Sequence, residues 1–187
     1  MIPRALAAEV PFSWVAADAV YGVGDVEQAL RRACKSYVLG VKSDHHFGSW
    51  SGKPPVAGTA AEIARDLGPS AWQRLSAGEG TKGARLHDWA YRELADLDAD
   101  EYDETKSGLW TRGLLIRRNI SDGDLAFFTT WCPLGTGIQT LAAVGGHRWA
   151  IEDSFETAKT SSALTIMKTG HGMAGIATSL SSCSPSP

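Results

Sequence analysis

The chain has few cysteines, no long apolar run and no surplus of positive charge. Cys34, Cys132 and Cys183 are odd in number and far apart. That excludes a disulfide frame or a cysteine-based zinc site and implies reduced thiols in a cytoplasmic protein. No stretch approaches the roughly 20 consecutive apolar residues of a membrane span. The opening MIPRALAAEVPFSW has a short apolar run broken by Glu9 and Pro11, without the longer apolar core of a signal peptide. A formal net charge of -3 argues against a stand-alone nucleic-acid binder, which is normally basic. It leaves open a catalytic module whose basic DNA-gripping partner lies elsewhere.

What is present suits one soluble domain with a real core: 187 residues, 43% hydrophobic and 21% charged. FSWVAADAVYG reads as a buried strand ending at Asp18, with a turn at Gly22 and Gly24. Asp25 is placed to cap VEQALRRACKS, whose Val26, Leu30 and Cys34 recur at helical spacing. YVLGV then reads as a second buried strand, which makes a βαβ unit. Residues 43–55 are turn-rich, and TAAEIARDL predicts a short helix. Three strand-like runs follow, RLHDWAYREL, LWTRGLLIRRNI and LAFFTTW, with Asp122-Gly123 as a hairpin turn between the last two. The acidic stretch from Asp96 to Glu104 reads as a solvated loop. Helical spacing returns in GIQTLAAVGG and in HRWAIEDSFETAK. From about Ser161 the chain is rich in Ser, Gly and Pro, and reads as a disordered tail. The expected fold class is therefore α/β with an antiparallel β-rich insertion over about 43–132.

Several patterns carry no chemistry. Asp44-His45-His46 lacks a supporting ligand constellation and reads as a polar loop. Gly22-Val23-Gly24 lacks the third glycine of a dinucleotide fingerprint, and EGTKG lacks P-loop spacing and reads as a turn. Nothing in the sequence joins Cys132 to His147, so a buried thiol and a surface imidazole are the simpler readings. The seven tryptophans are not interleaved with basic clusters, which favours core and turn anchors over base-stacking platforms.

The informative segment is HRWAIEDSFETAK. Arg148, Glu152, Phe155 and Lys159 stand four, three and four residues apart, so a helix carries all of them on one face. Cation, carboxylate, aromatic and cation suit a face that meets an anionic ligand and a metal. The simpler alternative is an i,i+4 Arg–Glu pair on a solvated surface.

R-W-x-I-E-x-x-F-x-x-x-K resembles the signature helix of bacterial insertion-sequence transposases with an RNase H-like DDE core, written Y-x2-R-x3-E-x6-K. Arg148, Glu152 and Lys159 match its R, E and K; its Tyr falls at Gly145 and is absent. The family's D-x-x-Y-G strand end is matched by Asp18, Tyr21 and Gly22, and WQRLSAGEGTKGAR is similar to the β insertion of one bacterial subgroup. The resemblance runs from Ser13 to Lys159. It implies an incomplete RNase H-like domain over residues 1–160 and Mg²⁺-dependent DNA cleavage and strand transfer. Asp18 and Glu152 would be the second and third metal-binding catalytic carboxylates, with Arg148 and Lys159 on DNA phosphate. Two Mg²⁺ ions serve such in-line attacks at phosphorus, and Mg²⁺ favours carboxylate oxygens. The implied partners are DNA (element ends and target) and full-length transposase or another copy of the chain.

The family's first aspartate has no counterpart, since none of the seventeen residues before Asp18 is Asp. The expectation is a truncated, inactive copy. The alternative is a non-catalytic remnant that binds DNA or transposase and modulates the full-length enzyme. Residues 161–187 form an aberrant tail in this reading. Back-translated from Gly172 to Pro185 in a shifted frame, it permits W-x-G-W-x-R-H-I-T-L-V-M-L-A, similar to the family's usual continuation. The alternative is a genuine flexible tail.

Overall fold

The computed structural model describes residues 2–19, 23–48, 58–80, 83–94, 110–146 and 176–178. A short helix, α1 (Ile2–Ala7), precedes strand β1 (Trp14–Ala17); the sequence patterning gave no sign of α1. Helix α2 (Val23–Arg32) leads from β1 to strand β2 (Ser36–Val41). The two strands pair in parallel, with Trp14 beside Ser36 and Ala17 beside Leu39. The expected βαβ unit is therefore present. All six residues of β2 are buried, as in strands covered on both faces. Since α2 begins at Val23, Asp25 lies inside its first turn instead of capping it, where its carboxylate still meets the positive end of the helix dipole. The helix ends in a Schellman turn: Cys34 has φ 51°, and the Lys35 amide donates to the Leu30 carbonyl at 2.9 Å.

The turn-rich stretch holds a small hairpin of β3 (His46–Phe47) and β4 (Gly58–Thr59), followed by helix α3 (Ala60–Arg65). Its cap is a reciprocal capping box. The Glu62 amide donates to Thr59 Oγ1 at 3.2 Å, and the Thr59 amide donates to Glu62 Oε2 at 2.8 Å.

Strands β5 (Gln73–Gly80), β6 (Gly83–Leu94), β7 (Trp110–Arg118) and β8 (Leu125–Pro133) are consecutive antiparallel neighbours. The β7–β8 turn closes where Asp122-Gly123 predicted it. Gly123 has φ 78°, and Asp122 Oδ1 accepts from the Asp124 amide at 2.9 Å. β8 then pairs antiparallel with β2, Val38 beside Thr130. The strands of the expected insertion are thus not a separate layer, because β8 satisfies the outer edge of β2 and continues the same sheet. The last strand, β9 (Ile176–Thr178), pairs antiparallel with β1. The sheet order is β5-β6-β7-β8-β2-β1-β9. Three residues of the tail therefore hold a defined place on the sheet edge; the rest of it lies outside the described residues. The architecture is mixed α/β and mostly sheet.

Alternation along the strands sorts the core onto two faces. The back face packs Phe12, Leu30, Tyr37, Leu39 and Trp131 beneath α2, and Val41, Ile63, Leu114 and Phe127 beneath α3. The front face carries Trp14, Val38, Trp89, Leu115 and Phe128, covered by Leu141 and Ala142 of helix α4 (138–146). The helix expected from GIQTLAAVGG is α4. On the back face Glu27 is buried: its Oε1 accepts from Thr129 Oγ1 at 3.0 Å, and its Oε2 lies 4.0 Å from Arg112. Among the described residues, no helix is long and apolar enough to cross a membrane.

Candidate functional site

Asp18 is the first residue past β1. Trp14 and Ala16 set the front-face parity, and Asp18 continues it. The chain there passes directly over β2 at Gly40. A Cβ at Gly40 would sit 2.9 Å from the Ala19 amide nitrogen and 3.3 Å from the Asp18 carbonyl carbon, so the crossing requires glycine. Asp18 Oδ1 accepts from the Ala19 amide at 2.7 Å, which fixes the carboxylate relative to the backbone. It opens on a cleft of about 480 Å³ lined by Asp18, Gly40, Ser43, Arg117, Leu125 and Phe128. The carboxyl ends of parallel strands are where open α/β sheets ordinarily bind ligands.

Arg117 stands across this cleft from Asp18, on β7. The sequence reading missed it. Alternation in LWTRGLLIRRN places Arg117 opposite Ile116, but only the β2–β8–β7 pairing brings it to the strand end that carries Asp18. Helix α4 packs on the same front face of the sheet. It starts five residues after Pro133, and near its end a Cβ at Gly145 would stand 3.6 Å from Val38 and Trp89. Trp89 pairs with the cleft residue Arg117. Gly146 follows so closely on β5 that a Cβ there would overlap the Ala77 backbone. Gly145, the position at which the resemblance implies a tyrosine, is buried, and a Cβ there would make ordinary van der Waals contact with Trp89 and Val38.

Of the residues singled out from sequence, Asp18 is described and lies at the cleft. Arg148, Glu152 and Lys159 lie outside the described residues, as do Tyr21, Gly22 and His147. Asp18 and the Ser43 hydroxyl supply hard oxygen donors of the kind Mg²⁺ takes. They fit that ion in chemical type but hold only one carboxylate, and no group of three His, Cys, Asp or Glu side chains placed to hold a metal occurs among the described residues. Cys132 is a buried free thiol, and burial pushes its titration up, which suits packing and not nucleophilic attack. Trp14, Trp89 and Trp131 are buried core anchors, as expected. Neither a protein-family model nor a curated protein sequence matches the chain.

Titration of the described groups predicts a two-stage acid response. Burial lowers the pKa of His45 and of His87 from 6.5, with Arg117 and Arg85 lowering His87 further. Hydrogen bonds from Thr59 lower Glu62 from 4.5, and those from Arg74 and Arg118 lower Asp88 from 3.8. In each case the folded state binds its proton more weakly than the unfolded chain, so the stability these groups contribute is present at high pH and lost on acidification. The expected Tm is level above about pH 7, falls as the unfolded histidines protonate near 6.5, and falls again below about 4.5. Thermal melts across pH test this, and His45→Asn should shrink the first step, leaving the part due to His87, and leave the second unchanged.

Proposed function

We propose that the chain carries part of the catalytic domain of a DDE-type transposase with an RNase H-like core, the fold that would pair a parallel β1–α2–β2 unit with a signature helix on the sheet face. Asp18 is the second catalytic carboxylate and Glu152 the third, both as metal ligands, while Arg148 and Lys159 hold DNA phosphates. Mg²⁺ at such a site lowers the barrier to in-line displacement at phosphorus. Asp18 contributes a fixed oxygen donor, and Arg117 offers charge-assisted hydrogen bonds to a phosphodiester from the opposite wall. The observation that carries the reading is the position of Asp18: it follows a parallel strand, is held over Gly40, and faces an open cleft opposite a guanidinium.

The 187 residues supply two of the family's three carboxylates, since the seventeen before Asp18 include no aspartate; the second reading, a non-catalytic remnant that binds DNA or transposase, needs only these. With two of three carboxylates, this 187-residue chain alone should associate with DNA in a salt-sensitive way but leave it uncut. A plasmid assay with Mg²⁺ tests this. Supercoiled DNA that stays intact yet shifts in mobility is the expected result. Mg²⁺-dependent nicking that Glu152→Ala abolishes would show a complete enzyme instead, and absence of both nicking and DNA association would contradict the reading.

A further inference from the structure

Building on that reading, we propose that Arg117, Arg85 and His87 form an anion-binding row that extends the Asp18 cleft across the front face of β6 and β7, and that its ligand is the sugar–phosphate backbone of DNA. In β6, residues 85, 87 and 89 share one face, and Trp89 on that face packs into the front core. Arg85 and His87 therefore continue the same face outward, at intervals of roughly 7 Å. Arg117 is in register with Trp89, so it lies diagonally across from His87, within about 7–8 Å. The His87 ring stands edge-on to Trp89 at 6.3 Å, which fixes the middle of the row. The lowered titration of His87, caused by burial first and then by Arg117 and Arg85, agrees with two guanidiniums close beside it.

All three side chains are half-buried and engaged with neighbouring groups, so the row is held in place. A guanidinium fixed beforehand loses less freedom when it grips a phosphate. On the front face of β6 and β7, Arg85 and Arg117 stand against one carboxylate, Glu93, which accepts from Thr111 Oγ1 at 2.9 Å, in a chain whose net charge is -3. The adjacent carboxylate, Asp88, has back-face parity and is held there by Arg74 and Arg118 at 3.0 Å each. It does not neutralise the front row. Arg117 belongs to both the row and the cleft, so a strand lying along the row would bring a phosphate to Asp18.

The test is fluorescence anisotropy of a labelled mixed-sequence DNA duplex titrated with the full chain at several salt concentrations. The R85Q/R117Q variant should bind on the order of tenfold more weakly, with a salt slope smaller by roughly one per arginine removed. Arg74→Gln on the back face should bind within about twofold of the unaltered protein, because its phosphate contacts are intact. Arg85 lies beyond the last β7 pair, so Arg85→Gln alone keeps the test decisive if the double variant does not fold. Unchanged affinity and salt slope in R85Q/R117Q, with firm binding by the unaltered chain, would overturn the row and leave the transposase reading standing. No binding by the unaltered chain at low salt would overturn both.

Discussion

Truncating Trp89 to alanine should cost about 3–5 kcal/mol of stability, seen as a Tm lower by roughly 6–20 °C for a chain of this size. The indole has no solvent exposure. It lies at 6.2 Å and tilted against Phe128, edge-on to His87, and against Gly145 of α4. Its removal opens a cavity between the sheet and the helix. Gly145 has no side chain with which to refill it, so the site cannot collapse cheaply. Trp72 and Trp110, half-buried on the back face, should tolerate the same change with smaller losses. A measured loss under about 1 kcal/mol for Trp89→Ala would mean that α4 does not pack on this face.

Gly40→Val should have the second-largest effect and a different signature. Added carbon at this position meets the backbone of Asp18 and Ala19, which cannot swing aside as a side chain can. Overpacking of this kind costs about 1–3 kcal/mol. It should also displace the Asp18 carboxylate from the cleft, so ligand binding there falls by more than the stability loss predicts. Thermal unfolding and metal titration on the same sample separate the two effects. A variant that melts and binds like the unaltered chain would place the crossing of residues 17–19 elsewhere.

The sequence was most legible where periodicity and turn chemistry act locally. The β1–α2–β2 unit, the Thr59-capped helix α3, the Asp122-Gly123 hairpin and α4 follow from apolar spacing and punctuation residues. What periodicity does not encode is the partner. Alternation in LAFFTTW assigns Phe128 and Thr130 to one face, but not the fact that β8 joins β2 and fuses the insertion with the α/β sheet. The same gap hid Arg117, whose place at the cleft depends on three successive strand pairings. Three-residue β9 is too short to leave a pattern, and α1 has no cap or amphipathic stripe to announce it. Asp18 was singled out through its resemblance to the D-x-x-Y-G strand end of the transposase family, a pattern that is local in the sequence. The need for glycine at position 40 was not, since it arises from a crossing chain segment more than twenty residues away.

In the proposed site, Asp18 and Glu152 act together as oxygen ligands of one divalent metal ion. Mn²⁺, read by electron paramagnetic resonance, is a direct probe in place of Mg²⁺. The full chain should bind Mn²⁺, and Asp18→Asn and Glu152→Gln should each weaken that binding on the order of tenfold or more, since each removes a carboxylate from a hard-cation site. Asp25→Asn, in the first turn of α2, should leave it unchanged. Binding that survives both substitutions, or its absence from the unaltered chain, would contradict the account.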